Sequence, residues 1–302
     1  MSKSLIALVS ARSARALDDD LLPLLHSLIT AGMSAELVDW DDTTINWSRY
    51  SVALLRSTWD YTQRLPDFLA WAARTAETTR LLNPLDIVRW NTDKHYLHDL
   101  AAAGVPVVSS FFIEPGQSAD ALPDHDEFVV KPAVGAGSRD AQRYVRSERA
   151  VAITHAQRLL DAHRSVLVQP YLHAVDQQGE SALLYFNGSY SHSIRKGALL
   201  KRGEDATRAL FAAEHISARN ADADERALAE QTLAAIPFTQ PLLYARIDMI
   251  RDANNRPCIL ELELTEPSLY FAFAEGSVQR FAAAIIARLN TLDGAAFPQE
   301  KR

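Results

Sequence analysis

Two apolar stretches near the carboxyl end of the chain are joined by a short polar segment. The apolar stretches cover residues 242–250 and 257–264, and turn-forming residues occupy 252–256 between them. Short apolar runs bounded by such residues are typical of strands, and a short connection between two of them favours an antiparallel hairpin. The pattern therefore predicts two neighbouring antiparallel strands.

Charged residues interrupt these apolar stretches at alternate positions. Side chains alternate along a strand, so Arg246 and Asp248 share one face of the first strand. Glu261 and Glu263 share one face of the second strand for the same reason. Carboxylates this close repel one another unless a cation lies among them. Their oxygens are ligands that magnesium prefers. Arg246 beside them could stabilise the charge of a transferring phosphoryl group. A solvated sheet face is the alternative, but the dense apolar residues of the second stretch indicate that both faces pack.

The amino-terminal part of the chain combines short apolar runs with one longer helical pattern. Strands are predicted at 4–9, 35–40 and 50–55, with a helix at about 18–31 that ends before Gly32. This order indicates a βαβ unit and a parallel sheet. Ligands of such sheets bind beyond the carboxyl ends of the strands. The segment after the third strand is therefore a candidate binding loop.

Polar and aromatic residues occupy that segment, at 56–61. In one interpretation they form a substrate loop, in which the guanidinium of Arg56 pairs with a carboxylate. In the other they begin a helix, with Ser57 or Thr58 as its cap and with Trp59 and Tyr61 packed inward. The substrate pocket would then lie near 266–270. Both interpretations stay open. The residues predicted to bind substrate are Arg56, Ser57, Trp59, Asp60 and Ser268.

A lysine precedes a glycine-containing loop in the middle of the chain. Lys131 ends a predicted strand at 128–132, and the loop 133–139 follows it. Such a loop can place backbone N–H groups over phosphates while the lysine supplies a point charge. The Gly-x-Gly pattern alone is weak evidence for this, because most such loops are turns. Neither the P-loop pattern nor the glycine pattern of dinucleotide folds occurs, so a nucleotide would be held in another way.

The remaining elements follow from the same kinds of pattern. Residues 81–84 break the pattern, which places a domain boundary near residue 88. The polar segment 197–220 is expected to be a mobile loop over the site, and Asn187-Gly188 predicts a tight turn. Helices are predicted at 92–103, 149–163, 222–235 and 276–289, and strands at 110–113, 166–172, 181–186 and 190–195.

Composition and charge narrow the functional class. A chain of 302 residues can form one large domain or about two to three smaller ones. The net charge of -7 argues against a nucleic-acid-binding surface. Cys258 is the only cysteine, so no internal disulfide can form, and a cytoplasmic location fits. The apolar run at 5–9 is too short for a signal-peptide core or a membrane span.

The order of these parts resembles the ATP-grasp superfamily. The parts are Lys94, the lysine and glycine loop at 131–139, Gln-Pro-Tyr-Leu at 169–172, Arg195-Lys196, Arg-x-Asp at 246–248 and Glu-x-Glu at 261–263. The resemblance covers about 85–285 and implies a mixed α/β and α+β architecture. A small Rossmann-like domain at 1–88 would precede a two-subdomain ATP-grasp domain at 89–302. Its lid subdomain would lie at about 105–170 and its carboxy-terminal subdomain at 171–302.

The resemblance also implies ATP and magnesium as cofactors and gives roles to single residues. Lys94, Lys131 and Ser138 would serve the phosphates, Gln169, Tyr171 and Leu172 the adenine, and Glu180 the ribose. Arg195 and Arg246 would stabilise the γ-phosphate, and Asp248, Glu261 and Glu263 would bind magnesium. Glu263 stands where the superfamily usually has asparagine. The carboxylate keeps an oxygen donor but makes the site more negative.

Within the superfamily the chain is most similar to the glutathione-synthetase-like branch. The runs at 56–61 and 261–268 are similar to those of cyclo-ligases that close O-ureido-serine to cycloserine. This implies a carbon-nitrogen ligase that activates the carboxylate of a small amino-acid-like substrate as an acyl phosphate, which a nitrogen then attacks. Two alternatives stay open: a ligase that joins two separate substrates, and a non-catalytic ATP-binding module, which would lack a carboxylate that is present here. Oligomeric state and substrate stereochemistry also stay open.

Overall fold

The strands of the chain form separate parallel and antiparallel sheets. The computed structural model describes residues 4–204, 206–207, 209 and 214–293. Within these residues the sheets have four, four and five strands. No helix in this part of the chain is both long enough and apolar enough to cross a membrane.

The first sheet is parallel, with the strand order β2-β1-β3-β4. Its strands are β1 (Leu5–Ser10), β2 (Ser34–Asp39), β3 (Val52–Leu55) and β4 (Arg80–Leu82), and its helices are α1 (Leu21–Thr30) and α2 (Leu65–Ala76). The predicted parallel βαβ unit is confirmed. The prediction of a break at 81–84 is wrong in part, because β4 pairs with β3 before the chain turns.

Two short helices follow, α3 (Leu85–Asn91) and α4 (Tyr96–Ala102). The single helix predicted at 92–103 is therefore wrong at its start. Lys94 lies between the two helices, where its backbone N–H donates to the carbonyl of Ala133 at 3.1 Å. The predicted domain boundary near residue 88 falls inside α3 and stays a prediction.

The second sheet is antiparallel, with the strand order β5-β8-β6-β7. Its strands are β5 (Phe111–Ile113), β6 (Glu127–Pro132), β7 (Gln142–Val145) and β8 (Val166–Pro170), and α5 (Arg149–Asp161) packs against it. Strand β7 has no counterpart in the prediction. Lys131 lies near the end of β6, as expected from the sequence.

The third sheet is also antiparallel, with the strand order β11-β10-β9-β12-β13. Its elements are α6 (Ala174–Gln178), β9 (Glu180–Phe186), β10 (Ser189–Lys196), β11 (Ile216–Arg219), α7 (Ala223–Ala234), β12 (Tyr244–Arg251), β13 (Pro257–Glu263) and α8 (Ser277–Asp293). The predicted hairpin is β12–β13. The expected loop at 197–220 includes β11, while positions 205, 208 and 210–213 of that loop lie outside the described residues.

Two buried asparagines connect the segment after the first sheet to this hairpin. Asn83 donates to the carbonyls of Tyr244 and Leu264 at 2.9 and 2.8 Å. Asn91 donates to the carbonyl of Leu262 at 2.8 Å and accepts the N–H of Leu264 at 2.6 Å. Buried backbone groups that leave the sheet ladder need such partners. These contacts fix the hairpin relative to the amino-terminal part of the chain.

Candidate active site

A deep cleft lies between the second and third sheets. The glycine loop after β6 and the turn after β13 also contribute to its walls. Twelve of the residues predicted from the sequence line it: Trp59, Lys94, Lys131, Ser138, Gln169, Tyr171, Leu172, Glu180, Arg246, Glu261, Glu263 and Ser268. The structure therefore brings most of the predicted residues to one place.

The charges of the β12–β13 hairpin face each other across the two strands. In the strand register Arg246 lies opposite Glu263, and Asp248 lies opposite Glu261. The guanidinium of Arg246 donates to both oxygens of Asp248, at 2.9 and 3.0 Å, and also to Glu263. Charge-assisted pairs with two parallel bonds are strong and fix orientation. The arginine is held rigidly at the floor of the cleft.

Two lysines from other elements complete this charge network. The ammonium of Lys196, at the end of β10, lies 2.6 Å from Asp248 and 3.1 Å from Glu180. The ammonium of Lys94 lies 2.8 Å from Glu261 and donates to the carbonyl of Gly135 at 2.8 Å. Buried charges persist when they are paired in this way. The contact of Lys94 with Gly135 also ties the glycine loop to the hairpin.

The network shifts the pKa values of its carboxylates in opposite directions. Burial disfavours the charged form of Asp248, but Arg246 and Lys196 outweigh burial and lower its pKa. Burial raises the pKa of Glu263, and the nearby Asp248 and Glu261 raise it further. Arg246 opposes this shift but does not cancel it, so an additional cation would stabilise the ionised form of Glu263.

The donor set fits a magnesium ion that is bound together with phosphates. Glu261 and Glu263 line the cleft and offer carboxylate oxygens, which magnesium prefers. Asp248 is 1% exposed and is engaged by Arg246 and Lys196. Among the described residues, no group of three histidine, cysteine or carboxylate side chains is arranged to hold a metal on its own. The three carboxylates predicted to bind magnesium therefore do not form a ready-made metal site, because cations lie between them.

The opposite wall of the cleft carries a lysine without an ion-pair partner. Lys131 forms no ion pair within 4 Å in the described part of the chain, and burial lowers its pKa. The loop beside it places Ser138 in the cleft with a positive φ of 57°. Farther along the wall, Gln169 donates to Ser110 at 3.0 Å, and the phenol of Tyr171 donates to Asp176 at 2.6 Å. This wall combines a lysine that has no ion-pair partner with fixed polar groups.

Comparison with known proteins identifies the family of this fold and cleft. The chain is 42% identical over 297 residues to the cycloserine biosynthesis protein DcsG of Streptomyces lavendulae, covering 94% of this chain and 99% of DcsG. Residues 6–83 match the family described as the N-terminal domain of D-cycloserine synthetase DcsG. The chain belongs to the DcsG family of ATP-grasp ligases. This ligase superimposes on the crystal structure of D-cycloserine synthetase DcsG with a TM-score of 0.89 at 41% identity, over 95% of this chain and 100% of that chain.

More distant structures show the same fold. D-alanyl-alanine synthetase A from Vibrio cholerae matches with a TM-score of 0.69 at 14% identity, over 98% of this chain and 100% of that chain. The ATP-grasp ligase PsnB, in a complex with Mg and ADP, matches with a TM-score of 0.62 at 15% identity, over 96% of this chain and 99% of that chain. The ATP-grasp architecture and the assignment as a carbon-nitrogen ligase are confirmed.

One predicted catalytic side chain points away from the cleft of the ligase. Arg195 donates to the carbonyls of Gln177 and Gln178 and does not line the cleft. The next residue, Lys196, faces the cleft instead. Successive side chains in β10 point to opposite faces, so only one of these two cations can reach the site. The sequence contained both, but the register that places Lys196 beside Glu180 was needed to choose between them.

Three residues predicted to bind substrate also lie outside the cleft. Arg56 is fully buried and donates to the carbonyl of Pro267 at 2.7 Å. Ser57 bonds to the hydroxyl of Ser10 at 2.8 Å, and Asp60 accepts from Trp40 at 2.9 Å and from Arg64 at 2.5 Å. These contacts favour the structural interpretation of the 56–61 segment. Trp59 does line the cleft, and its indole donates to the carbonyl of Glu266 at 3.0 Å.

The cleft also contains polar and charged residues that were not predicted as site residues. Among them are Arg139, Lys196, Glu214, Glu266 and Tyr270. Two of them, Glu266 and Tyr270, fall in the 266–270 region that the structural interpretation of the 56–61 segment had indicated. Glu266 and Tyr270 lie in irregular backbone after β13, so the alternation of side chains along a strand could not predict which way they face.

Proposed function

We propose that this ligase closes O-ureido-serine to cycloserine with the consumption of ATP. The observation that carries the proposal is the correspondence with DcsG over 94% of this chain and 99% of that protein. A cleft with an acidic floor and an unpaired lysine on its wall supports it. The fold alone could also serve a ligase that joins two substrates, so substrate identity rests on the close relative.

The proposed reaction begins with attack of the substrate carboxylate on the γ-phosphate of ATP, which gives an acyl phosphate and ADP. The substituted nitrogen of the ureido group then attacks the acyl carbon, a ring C–N bond forms and phosphate leaves. Hydrolysis of the remaining carbamoyl group, with loss of ammonia and carbon dioxide, gives the free ring N–H. Holding both reacting ends in one pocket can be equivalent to an effective molarity of about 10⁵ M or more.

The residues of the cleft suit particular parts of this reaction. We assign Lys131, Lys94 and Ser138 to the phosphates, Gln169, Tyr171 and Leu172 to the adenine, and Glu180 to the ribose. Arg246 is placed to stabilise the transferring phosphoryl group, with Lys196 taking the part predicted for Arg195. Glu261 and Glu263, with Asp248 behind them, would hold magnesium, which when bound supplies positive charge to the phosphate oxygens.

The test is a substrate screen with purified enzyme. ADP release is measured with both enantiomers of O-ureido-serine and with pairs of simple amino acids, and products are identified by mass spectrometry. We expect magnesium-dependent ADP release with O-ureido-serine and formation of cycloserine. A dipeptide product from an amino-acid pair, without turnover of O-ureido-serine, contradicts the proposal and indicates an intermolecular ligase. Because the proposed ring closure consumes ATP, we expect the enzyme to act in the cytoplasm.

A further inference from the structure

One buried carboxylate of the cleft has no cationic partner. Glu266 is 7% exposed and lines the cleft, and its carboxylate accepts a hydrogen bond from the phenol of Tyr61. It forms no ion pair within 4 Å in the described part of the chain. By contrast, the carboxylates of the floor all have such partners: Asp248, Glu261 and Glu263.

The backbone around Glu266 is fixed by residues that follow the first sheet. The indole of Trp59 donates to the Glu266 carbonyl at 3.0 Å, and Arg56 donates to the next carbonyl, of Pro267, at 2.7 Å. Tyr61 stacks on Phe68 with ring centroids 4.8 Å apart, which holds its phenol in place. The carboxylate is therefore oriented from two sides, by its own backbone and by a rigid phenol.

Leaving a carboxylate buried in this way is costly unless a cation binds to it. Burial raises its pKa to about 7, although the hydrogen bond from Tyr61 and the charge of Lys94 oppose this shift. The aromatic rings of Trp59 and Tyr61 line the same part of the cleft, and aromatic faces attract cations. A ligand cation that bonds to the free lone pairs of Glu266 would satisfy the group.

We propose that Glu266 binds the α-ammonium group of the amino-acid substrate, with Tyr61 holding the carboxylate in position. This inference rests on the proposed function, because it concerns the substrate of the same cleft. The class of ligand is a small amino acid with a free ammonium group. Substrates whose amine is acylated or absent should bind poorly. The anchor also leaves the substrate carboxylate free to face Arg246 and the phosphates.

The experiment compares two ligands on two enzymes. Calorimetry with the MgADP-loaded ligase measures the affinity for O-ureido-serine and for its deamino analogue, 3-(ureidooxy)propanoate. Glu266→Gln keeps the shape of the side chain but removes its charge. We expect this change to weaken O-ureido-serine binding by about 10- to 100-fold, the effect of losing a charge-assisted hydrogen bond, and to leave the analogue unaffected.

Two further variants control the comparison. Glu230→Gln makes the same chemical change on the exposed face of α7 and should behave as the wild type with both ligands. Tyr61→Phe removes only the supporting hydroxyl and should give a smaller loss, confined to the ligand with the ammonium group. This second variant also tests the inference if Glu266→Gln fails to fold.

Three results would overturn the inference. The first is an equal loss for both ligands in Glu266→Gln, which would indicate a general effect on pocket shape. The second is no loss for either ligand. The third is weakened MgADP affinity in the variant, which would assign Glu266 to the metal or nucleotide.

A failure of the proposed function gives a different signal. The wild-type enzyme then does not bind O-ureido-serine but binds another amino acid from the substrate screen. The comparison is repeated with that amino acid and its deamino analogue, and the same outcomes apply. If the loaded wild-type enzyme binds no amino acid, the ammonium site is also refuted.

Discussion

The ammonium of Lys196 lies 2.6 Å from Oδ2 of Asp248, a carboxylate that is 1% exposed. Arg246 donates to the same carboxylate, so two cations from different strands share one buried acid. Their relative positions therefore depend on Asp248. This arrangement gives the acid a structural role as well as its proposed role toward magnesium.

Replacement of Lys196 should impair the ligase much more than replacement of its neighbour. We expect Lys196→Met to lower kcat/KM for ATP by about 10- to 100-fold, because a buried charged hydrogen bond beside the phosphoryl site is lost. Arg195→Met removes a side chain that contacts only backbone carbonyls and should change kcat/KM by about twofold or less. Steady-state ADP release measures both. An equal loss of kcat/KM in the two variants would indicate that Arg195 also contributes to the phosphoryl site.

Asp248 and Glu263 should differ in their contribution to stability. Asp248→Asn leaves Lys196 and Arg246 buried with a weaker partner, so the free energy of unfolding should fall by about 3 to 5 kcal/mol. Glu263→Gln leaves Arg246 paired with Asp248, keeps an amide oxygen that can accept from Arg246 and removes a carboxylate whose pKa is raised by burial, so its effect should be about 1 kcal/mol or less. Urea unfolding measures the two values. Both variants should also bind MgADP more weakly by calorimetry. An Asp248→Asn protein as stable as the wild type would show that the cations do not depend on this acid.

Strand periodicity predicted the floor of the cleft from the sequence. The alternation of Arg246 and Asp248, and of Glu261 and Glu263, is sufficient to place each pair on one face, and the observed register sets the two pairs opposite each other. Tertiary information was needed elsewhere. Lys94 was assigned to a helix, because nothing local in the sequence marks the interruption between α3 and α4.

The amino-terminal contribution to the site was harder to predict. A polar residue after a parallel strand is a reasonable candidate for a ligand contact, which is why Arg56 is among the predicted substrate residues. In the structure the carboxyl end of β3 is covered by the segment after β13, so Arg56 meets a backbone carbonyl and not the cleft. Contacts between segments so far apart in the chain follow from domain packing, which local pattern does not encode.

Lys131 should contribute to nucleotide affinity because it forms no ion pair within 4 Å among the described residues. We expect Lys131→Ala to weaken MgADP binding by about 10- to 100-fold. Lys201→Ala is the matched control, since the Lys201 side chain is 71% exposed and its partner Glu204 is also exposed. Calorimetric titration with MgADP measures both variants. Unchanged affinity in Lys131→Ala would remove this lysine from the phosphate site.

Glu127 should make the second sheet sensitive to acid. Hydrogen bonds from Arg202 lower the pKa of Glu127 to about 2, although burial opposes this shift. Arg143 lowers the pKa further through its own hydrogen bond. The imidazole of His173 lies 3.4 Å from the same carboxylate. The carboxylate of Glu127 binds a proton less readily in the folded state than in the unfolded state. The ionised carboxylate therefore stabilises the fold above about pH 4.5, and this contribution is lost as the pH falls toward 2.

The Glu127→Gln variant isolates this effect. At pH 7 we expect it to be less stable by about 1.5 to 3 kcal/mol, through loss of charged hydrogen bonds. Below pH 4.5 the difference from the wild type should shrink. Unfolding in urea at a series of pH values measures the difference. A gap that stays constant from pH 7 to pH 3 would contradict the assigned ionisation of Glu127.

Asp20 holds the turn that follows Glu266 and Ser268. Its carboxylate accepts the backbone N–H groups of Leu269, Tyr270 and Phe271 at 2.6, 2.8 and 2.8 Å. Tyr270 has a positive φ of 52°, a conformation that a bulky residue adopts only when its surroundings impose it. The residue that precedes α1 thus holds the backbone of the turn after β13.

Asp20→Asn should therefore act on substrate binding at a distance. The amide cannot accept all three N–H groups with the strength of a carboxylate, so the free energy of unfolding should fall by about 1 to 3 kcal/mol. The turn should loosen, and the KM for the amino-acid substrate should rise by about tenfold while the KM for ATP changes little. Asp19→Asn, at an adjacent exposed position, is the matched control and should leave both constants unchanged. Steady-state kinetics with each substrate varied in turn separates the two effects. An equal rise in both KM values would mean that Asp20 supports the whole cleft, whereas a rise for the amino acid alone would show that the contact between the start of α1 and the turn after β13 sets the geometry of the substrate pocket.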